Sequence, residues 1–184
     1  MTLKEEKLTE QRIYDGIIVN VRRDTARLLD GSVKNREVVE HPGGAAVVAL
    51  DQENRVILVR QFRYPMGEVV LELPAGKLEK GEDPAAAALR ELSEETGLVP
   101  GDFRFLGESY SSPGIFTEKI YLYLAQNLTH GDGHPDEGEF LEVVWIPWEE
   151  LLEMVRRGEI RDGKTLAGIL KASLVLDLPD KKES

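Results

Sequence analysis

The chain has 184 residues, and 34 acidic side chains against 23 lysines and arginines leave a formal net charge of −11. That length suits one α/β or α+β domain, alone or with a small appendage, and the acidity argues against a duplex-nucleic-acid binder, whose phosphate contacts need a basic face. The lack of cysteine rules out disulfides, thiolate zinc sites and a cysteine nucleophile; with no apolar run near the ~20 residues of a membrane span and no signal-peptide core in MTLKEEKLTEQR, the expected address is the cytoplasm.

Residues 1–12 are polar and mixed in charge and read as a frayed start or a short helix. From Tyr14 to Val39 the pattern is strand-like. Ile17–Val21 is rich in β-branched residues, and Asp30-Gly31 signals a hairpin between Ala26–Leu29 and Ser32–Val39. A lone hairpin is marginal in water, so this antiparallel N-terminal region, residues 1–40, needs the main sheet or a second copy of the chain to lie on. The remainder, 41–184, reads as the main domain. After His41-Pro42-Gly43-Gly44, the apolar runs Ala45–Leu50 and Val56–Phe62 predict buried central strands, and Val69–Leu73 a shorter one stopped by Pro74. Between Asp83 and Gly97 lies the clearest helix, with Asp83 to cap it, Pro84 at its first position and Gly97 to end it. Strands follow at Phe103–Ser109, Ile120–Leu124 and Leu141–Ile146, the last two separated by an acidic, glycine-rich loop, Asn127–Gly138. Helices are expected at Trp148–Arg157 and about Thr165–Leu176. Strands, helix, strands, helices in that order make a mixed α/β fold rather than a repeating βαβ chain.

Carboxylates crowd the predicted central helix. Each helical residue advances by about 100°, so Glu91 and Glu95 fall within ~40° of each other, with Glu94 beside them and Leu89 and Leu92 forming an apolar stripe. Like charges at this spacing destabilise an isolated helix. A solvated acidic face is the ordinary explanation, but the flanking glycines change the weighing: Gly76, after Leu73-Pro74-Ala75, offers a tight turn that aims a backbone carbonyl at the helix, and Gly97 closes it. Such a platform suits a hard divalent cation, which prefers oxygen ligands and combines one or two carboxylates with substrate phosphates. Arg90 is within reach of Glu94 and Glu82 and can fix a carboxylate through its planar fork.

Gly76, Glu82 and the run Arg90-Glu91-Leu92-Ser93-Glu94-Glu95-Thr96-Gly97-Leu98 resemble the Nudix box at every defined position, nine positions across residues 76–98. The resemblance extends from about Arg36 to Leu176. It implies the Nudix fold, a mixed β-sheet sandwiched between helices, and hydrolysis of a nucleoside diphosphate linked to another moiety. By the same resemblance Glu91, Glu95 and the Ala75 carbonyl bind divalent metal, with Glu94 and Arg90 in the catalytic set. Glu139 joins the metal cluster and Glu137 acts as general base. Two or three Mg²⁺ ions, or Mn²⁺, would be held in each site.

Other residues point to the substrate. Pro113, within Ser111-Ser112-Pro113-Gly114, lies 16 residues after Gly97 and resembles the marker of ADP-ribose pyrophosphatases in that family. Arg60-Gln61-Phe62-Arg63-Tyr64, Glu72-Leu73-Pro74-Ala75-Gly76 and Arg36-Glu37 are similar to the same subgroup. This implies that Arg36, Glu37 and Arg63 contact the adenosine side, and that Lys77, Ser112 and Glu118 lie near the diphosphate or terminal ribose. Arg36 and Arg63 would supply the positive charge an acidic protein needs to hold a diphosphate. Ile17 stands where the subgroup often stacks adenine on an aromatic, the nearest being Tyr14. The resemblance further implies a homodimer in which the N-terminal segment is exchanged; the acidity and the lack of a long apolar run lead us to expect no nucleic-acid or membrane partner. Rival substrates are GDP-mannose, NADH and FAD, and the rival classes are a ligand-sensing Nudix module without catalysis and an RNA-processing Nudix protein that also binds RNA, which the acidity disfavours.

Overall fold

The computed structural model describes residues 3–131 and 140–176. The chain forms two compact units, Met1–Gly43 with Tyr110–Lys119, and Gly44–Ser109 with Ile120–Ser184.

The smaller unit is a three-stranded antiparallel sheet in the order β1-β2-β3, built from β1 (Glu6–Asp15), β2 (Asn20–Arg27) and β3 (Val33–Glu40). Residues expected to fray or to form a short helix therefore form a strand. Cross-strand pairing decides the matter where local propensity is weak: Thr9 and Thr25 share a hydroxyl–hydroxyl bond of 2.7 Å, Arg27 meets Glu6 at 3.0 Å, and Arg12 pairs with Glu40. The β-branched run starting at Ile17 is not all strand. Gly16 N donates to Val19 O at 3.1 Å, so Ile17 and Ile18 occupy a turn, and Ile17 is fully exposed at its tip. The Asp30-Gly31 signal holds: Gly31 takes φ 81°, and Asp30 Oδ1 accepts from the backbone N and the hydroxyl of Ser32. A turn at 112–116 completes this unit, docked on β3 by Val39 N to Ile115 O (2.8 Å) and Thr117 N to Val39 O (3.0 Å).

The larger unit holds β4 (Gly44–Leu50), β5 (Arg55–Arg63), β6 (Glu68–Glu72), β7 (Ala75–Lys77), α1 (Pro84–Thr96), β8 (Leu98–Tyr110), β9 (Lys119–His130), β10 (Leu141–Pro147), α2 (Trp148–Arg156) and α3 (Gly163–Ser173). Its sheet runs β10-β5-β4-β9-β8, with β6 added to β5 and β7 to β4. The β4–β9 pair is parallel, while β4–β5, β4–β7, β5–β6 and β5–β10 are antiparallel, so the sheet is mixed. Every residue of β4 is buried. Because side chains alternate across a strand, Ala46, Val48 and Leu50 join Trp148 and Leu151 of α2 and Ile169 and Ala172 of α3 in one apolar layer. Ala45, Val47 and Ala49 join Ala87, Ala88 and Leu92 of α1 on the opposite face. Burying each branched side chain is worth about 1.5–3 kcal/mol, which explains why β4 reads as an unbroken apolar run rather than an alternating one.

Strands β8 and β9 are longer than their apolar centres suggest. Their polar ends are tied by backbone and side-chain bonds, such as Gly131 N to Gly97 O at 2.8 Å and Asn127 to Asp102. Pro100 is tolerated because β8 lies at the sheet edge. Helix α3 begins earlier and ends earlier than expected, since Asp162 rather than a later residue caps it. Among the described residues no helix is long and apolar enough to cross a membrane.

Candidate functional site

Helix α1 forms for local reasons. Asp83 accepts from the backbone N of Ala85 (2.9 Å) and Ala86 (3.1 Å), Pro84 opens the helix, and Gly97 closes it at φ 69°, returning its N–H to Ser93 O. The buried stripe is Ala87, Ala88, Leu92 and Glu95. Leu89, expected on that stripe, is exposed instead, because small alanines let the helix lie close on β4. Glu95 on that stripe and Glu91 beside it meet β7.

At β7 the structure replaces an expectation. Ala75–Lys77 is not a tight turn but a short strand paired with β4, Gly76 opposite Ala45. Gly76 is required for space rather than for a turn. A β-carbon there would fall 1.9 Å from Oε1 of Glu91 and 2.0 Å from its Cδ, so the missing side chain is the room the Glu91 carboxylate occupies. Beside it, buried Glu95 accepts from Ala75 N at 2.9 Å. Helix and strand therefore present Glu91 and Glu95 against the backbone of Ala75 and Gly76.

Arg90 organises the rest. Its Nε and Nη2 bind Glu82 at 3.0 and 3.1 Å, its Nη1 donates to Glu91 and Glu94 at 2.9 Å each, and Nη2 also reaches Lys77 O at 3.3 Å. Sequence spacing anticipated Glu82 and Glu94, and the structure adds Glu91. The Glu82 bond, with Glu91 and Glu94 behind it, holds the guanidinium well above the usual arginine range despite partial burial. In turn the Arg90 bond, helped by Glu79 N, holds the Glu82 carboxyl below the usual range.

The other expected residues are distributed as follows. Lys77 is exposed on β7. Arg63, at the end of β5, is not a free surface arginine: Nε and Nη2 bind the buried carboxylate of Glu72 at 2.6 and 2.8 Å. In the smaller unit Arg36 makes a two-point contact with Glu5 (2.9 and 2.7 Å), and Glu37 is exposed on β3. There too, Ser112 O accepts from the backbone N of Ile115 and Phe116, and Glu118 faces His41 Nδ1 at 3.1 Å. Glu137 and Glu139 lie outside the described residues.

Sequence reasoning gave no role to the network around Glu72. Lys164 bonds Glu72 and also Asp162 at 3.1 Å. Asp162 accepts from Thr165 N and Oγ1, and the Thr165 hydroxyl accepts from Leu73 N at 2.9 Å. The one local signal was Asp162 three residues before Thr165, a helix-capping pattern.

Among the described residues no three acidic or imidazole groups converge closely enough to cage an ion. The donor chemistry nevertheless fits a hard divalent cation. Glu91, Glu94 and Glu95 offer carboxylate oxygens along one side of α1, and the glycine at position 76 leaves the room in which the Glu91 carboxylate lies against β7.

A family model, the NUDIX domain, matches residues 40–168. The chain belongs to the Nudix family. It is 38% identical over 168 residues to a methanol dehydrogenase activator of Bacillus methanolicus, covering 90% of this chain and 91% of that protein. It is equally 38% identical over 170 residues to an ADP-ribose pyrophosphatase of Bacillus subtilis (strain 168), covering 91% and 92%. A solved structure described as an ADP compounds hydrolase superposes with a TM-score of 0.82 over 95% of both chains; at 21% identity this shows the Nudix fold alone. Nudix hydrolases are in general dependent on divalent metal, which agrees with the donor set on α1.

Proposed function

We propose that this Nudix protein hydrolyses the pyrophosphate bond of ADP-ribose, giving AMP and ribose 5-phosphate. The observation that carries the reading is the apposition of Glu91 and Glu95 to the backbone of Ala75 and Gly76, the lack of a side chain at Gly76 giving the Glu91 carboxylate its place. The likeness to an ADP-ribose pyrophosphatase along nearly the whole chain supports the substrate.

Glu91, Glu95, Glu139 and the Ala75 carbonyl would hold the divalent ions, two or three Mg²⁺ or Mn²⁺ in each site. When bound, such ions neutralise charge that develops on the diphosphate and acidify the attacking water. Arg90 keeps Glu91 and Glu94 aligned by donating to both as their shared cation. Glu137 takes the proton from water. Arg63 and Arg36 bring positive charge to the diphosphate and the adenosine, with Glu37 beside Arg36. Lys77, Ser112 and Glu118 lie near the diphosphate or the terminal ribose. Two copies assemble in the cytoplasm by exchanging the N-terminal sheet, a reading supported by the exposed apolar side chains Leu8, Ile13, Tyr14, Ile17 and Ile18 on and after β1.

Hydrolysis of ADP-ribose in isotopically labelled water, followed by mass analysis of AMP, tests substrate and reaction together and tells which phosphorus is attacked. Faster turnover of GDP-mannose, NADH or FAD would move the assignment within the family. Binding of ADP-ribose without turnover would make the chain a sensing module.

A further inference from the structure

Glu72 holds a carboxylate with a side chain only 3% exposed, and two cations converge on it from different elements. Arg63 approaches along β5 with a two-point contact, and Lys164 comes from the first turn of α3. The two cations differ in a way that matters. The Arg63 side chain is 40% exposed, and its guanidinium also feels the Glu95 carboxylate. The Lys164 side chain is 16% exposed and is pinned by Asp162, the residue that caps α3. One cation is open to solvent; the other is anchored.

We propose that Lys164 is a positioning residue, which keeps Glu72 neutralised so that Arg63 can leave it for an anionic group of the substrate. This rests on the reading above that Arg63 supplies charge to the diphosphate. The physical argument is the asymmetry of broken buried pairs. Taking the one partner away from a buried carboxylate is strongly unfavourable, whereas a carboxylate that retains a second cation loses far less. With Lys164 in place, Arg63 exchanges Glu72 for phosphate with little penalty. Without it, Glu72 clamps Arg63 and the anion must compete against a buried charge. Burial alone would raise the Glu72 carboxyl, yet Arg63 and Lys164 together hold it below the ordinary value, so both cations act on the ionised form.

The test is calorimetric titration of the full chain with inorganic pyrophosphate, with melting curves to verify folding. Lys164→Gln is expected to weaken pyrophosphate binding about tenfold, while Lys164→Arg retains the wild-type affinity. In a Glu72→Gln background, where nothing clamps Arg63, Lys164→Gln is expected to have no further effect. On ADP-ribose, Lys164→Gln should raise KM about tenfold with kcat within about twofold, since ground-state and transition-state binding weaken together. An equal loss from Lys164→Gln in both backgrounds would overturn the proposal, for Lys164 would then act directly on the anion. Unchanged pyrophosphate affinity in Arg63→Gln, or none in the wild type, would overturn the reading of Arg63 itself, and the proposal with it.

Discussion

Glu91 and Gly76 share one volume: the carboxylate of the first fills the position that a β-carbon on the second would take, 1.9 Å from Oε1. Gly76→Ala therefore forces Glu91 to rotate away. The end of a glutamate side chain moves easily, so stability should fall by no more than about 1–2 kcal/mol. Activity should fall at least ~100-fold, as expected when a catalytic group is displaced by about an ångström. Urea unfolding alongside kcat for ADP-ribose separates the two effects, and near-normal turnover would remove Glu91 from the machinery.

Arg90 is the shared cation of Glu82, Glu91 and Glu94. Arg90→Gln removes the cation that Glu91 and Glu94 of α1 share with Glu82, which lies just before the helix. The cost is expected at about 1–3 kcal/mol, between that of a surface pair and a buried one. Millimolar Mg²⁺ should recover part of the lost melting temperature, because a divalent ion can take over the neutralisation. Melting curves with chelator and with Mg²⁺ decide it; no recovery would place the cation site elsewhere.

Acid should destabilise the larger unit through two identifiable groups. Glu82, bonded by Arg90, and Glu72, where Arg63 and Lys164 outweigh burial, both titrate below the ordinary 4.5 in the folded chain. A depressed native value means that the unfolded state binds protons first. The stabilisation is thus complete above pH 4.5 and is lost as pH falls through the native values. Urea midpoints measured downward from pH 7 should drop more steeply below pH 4.5 in the wild type than in Glu82→Gln or Glu72→Gln.

Asp83 satisfies two otherwise unpaired amides at the start of α1. Asp83→Ala should cost about 1 kcal/mol of stability and leave turnover within about threefold, since the carboxylates lie two turns further along. Loss of turnover without loss of stability would contradict a purely capping role.

Helix α1 was legible in the sequence because Asp83, Pro84 and Gly97 act on their own neighbours, and the apolar runs of β4 and β5 were legible because burial on both faces leaves little choice of residue. Strand β1 was not, since what holds it is pairing with β2 through residues such as Thr25 and Arg27, which no local pattern reveals. Gly76 was marked as special, but spacing cannot tell a glycine kept for its backbone from one kept for a neighbour's side chain. Leu89 misled because the alanines beside it, not the larger leucine, make the close contact. The Glu72–Lys164 pair joins positions 92 residues apart, so nothing in either neighbourhood announces it.

The bond from Leu73 N to the Thr165 hydroxyl has a consequence for the order of events in synthesis. The complete acidic motif leaves the ribosome long before α3 does. Until α3 arrives, the backbone leading into Ala75 lacks its brace, so a nascent chain carrying every box residue is still unfinished as a catalyst. Competence comes late, with the arrival of a helix that contains none of the signature.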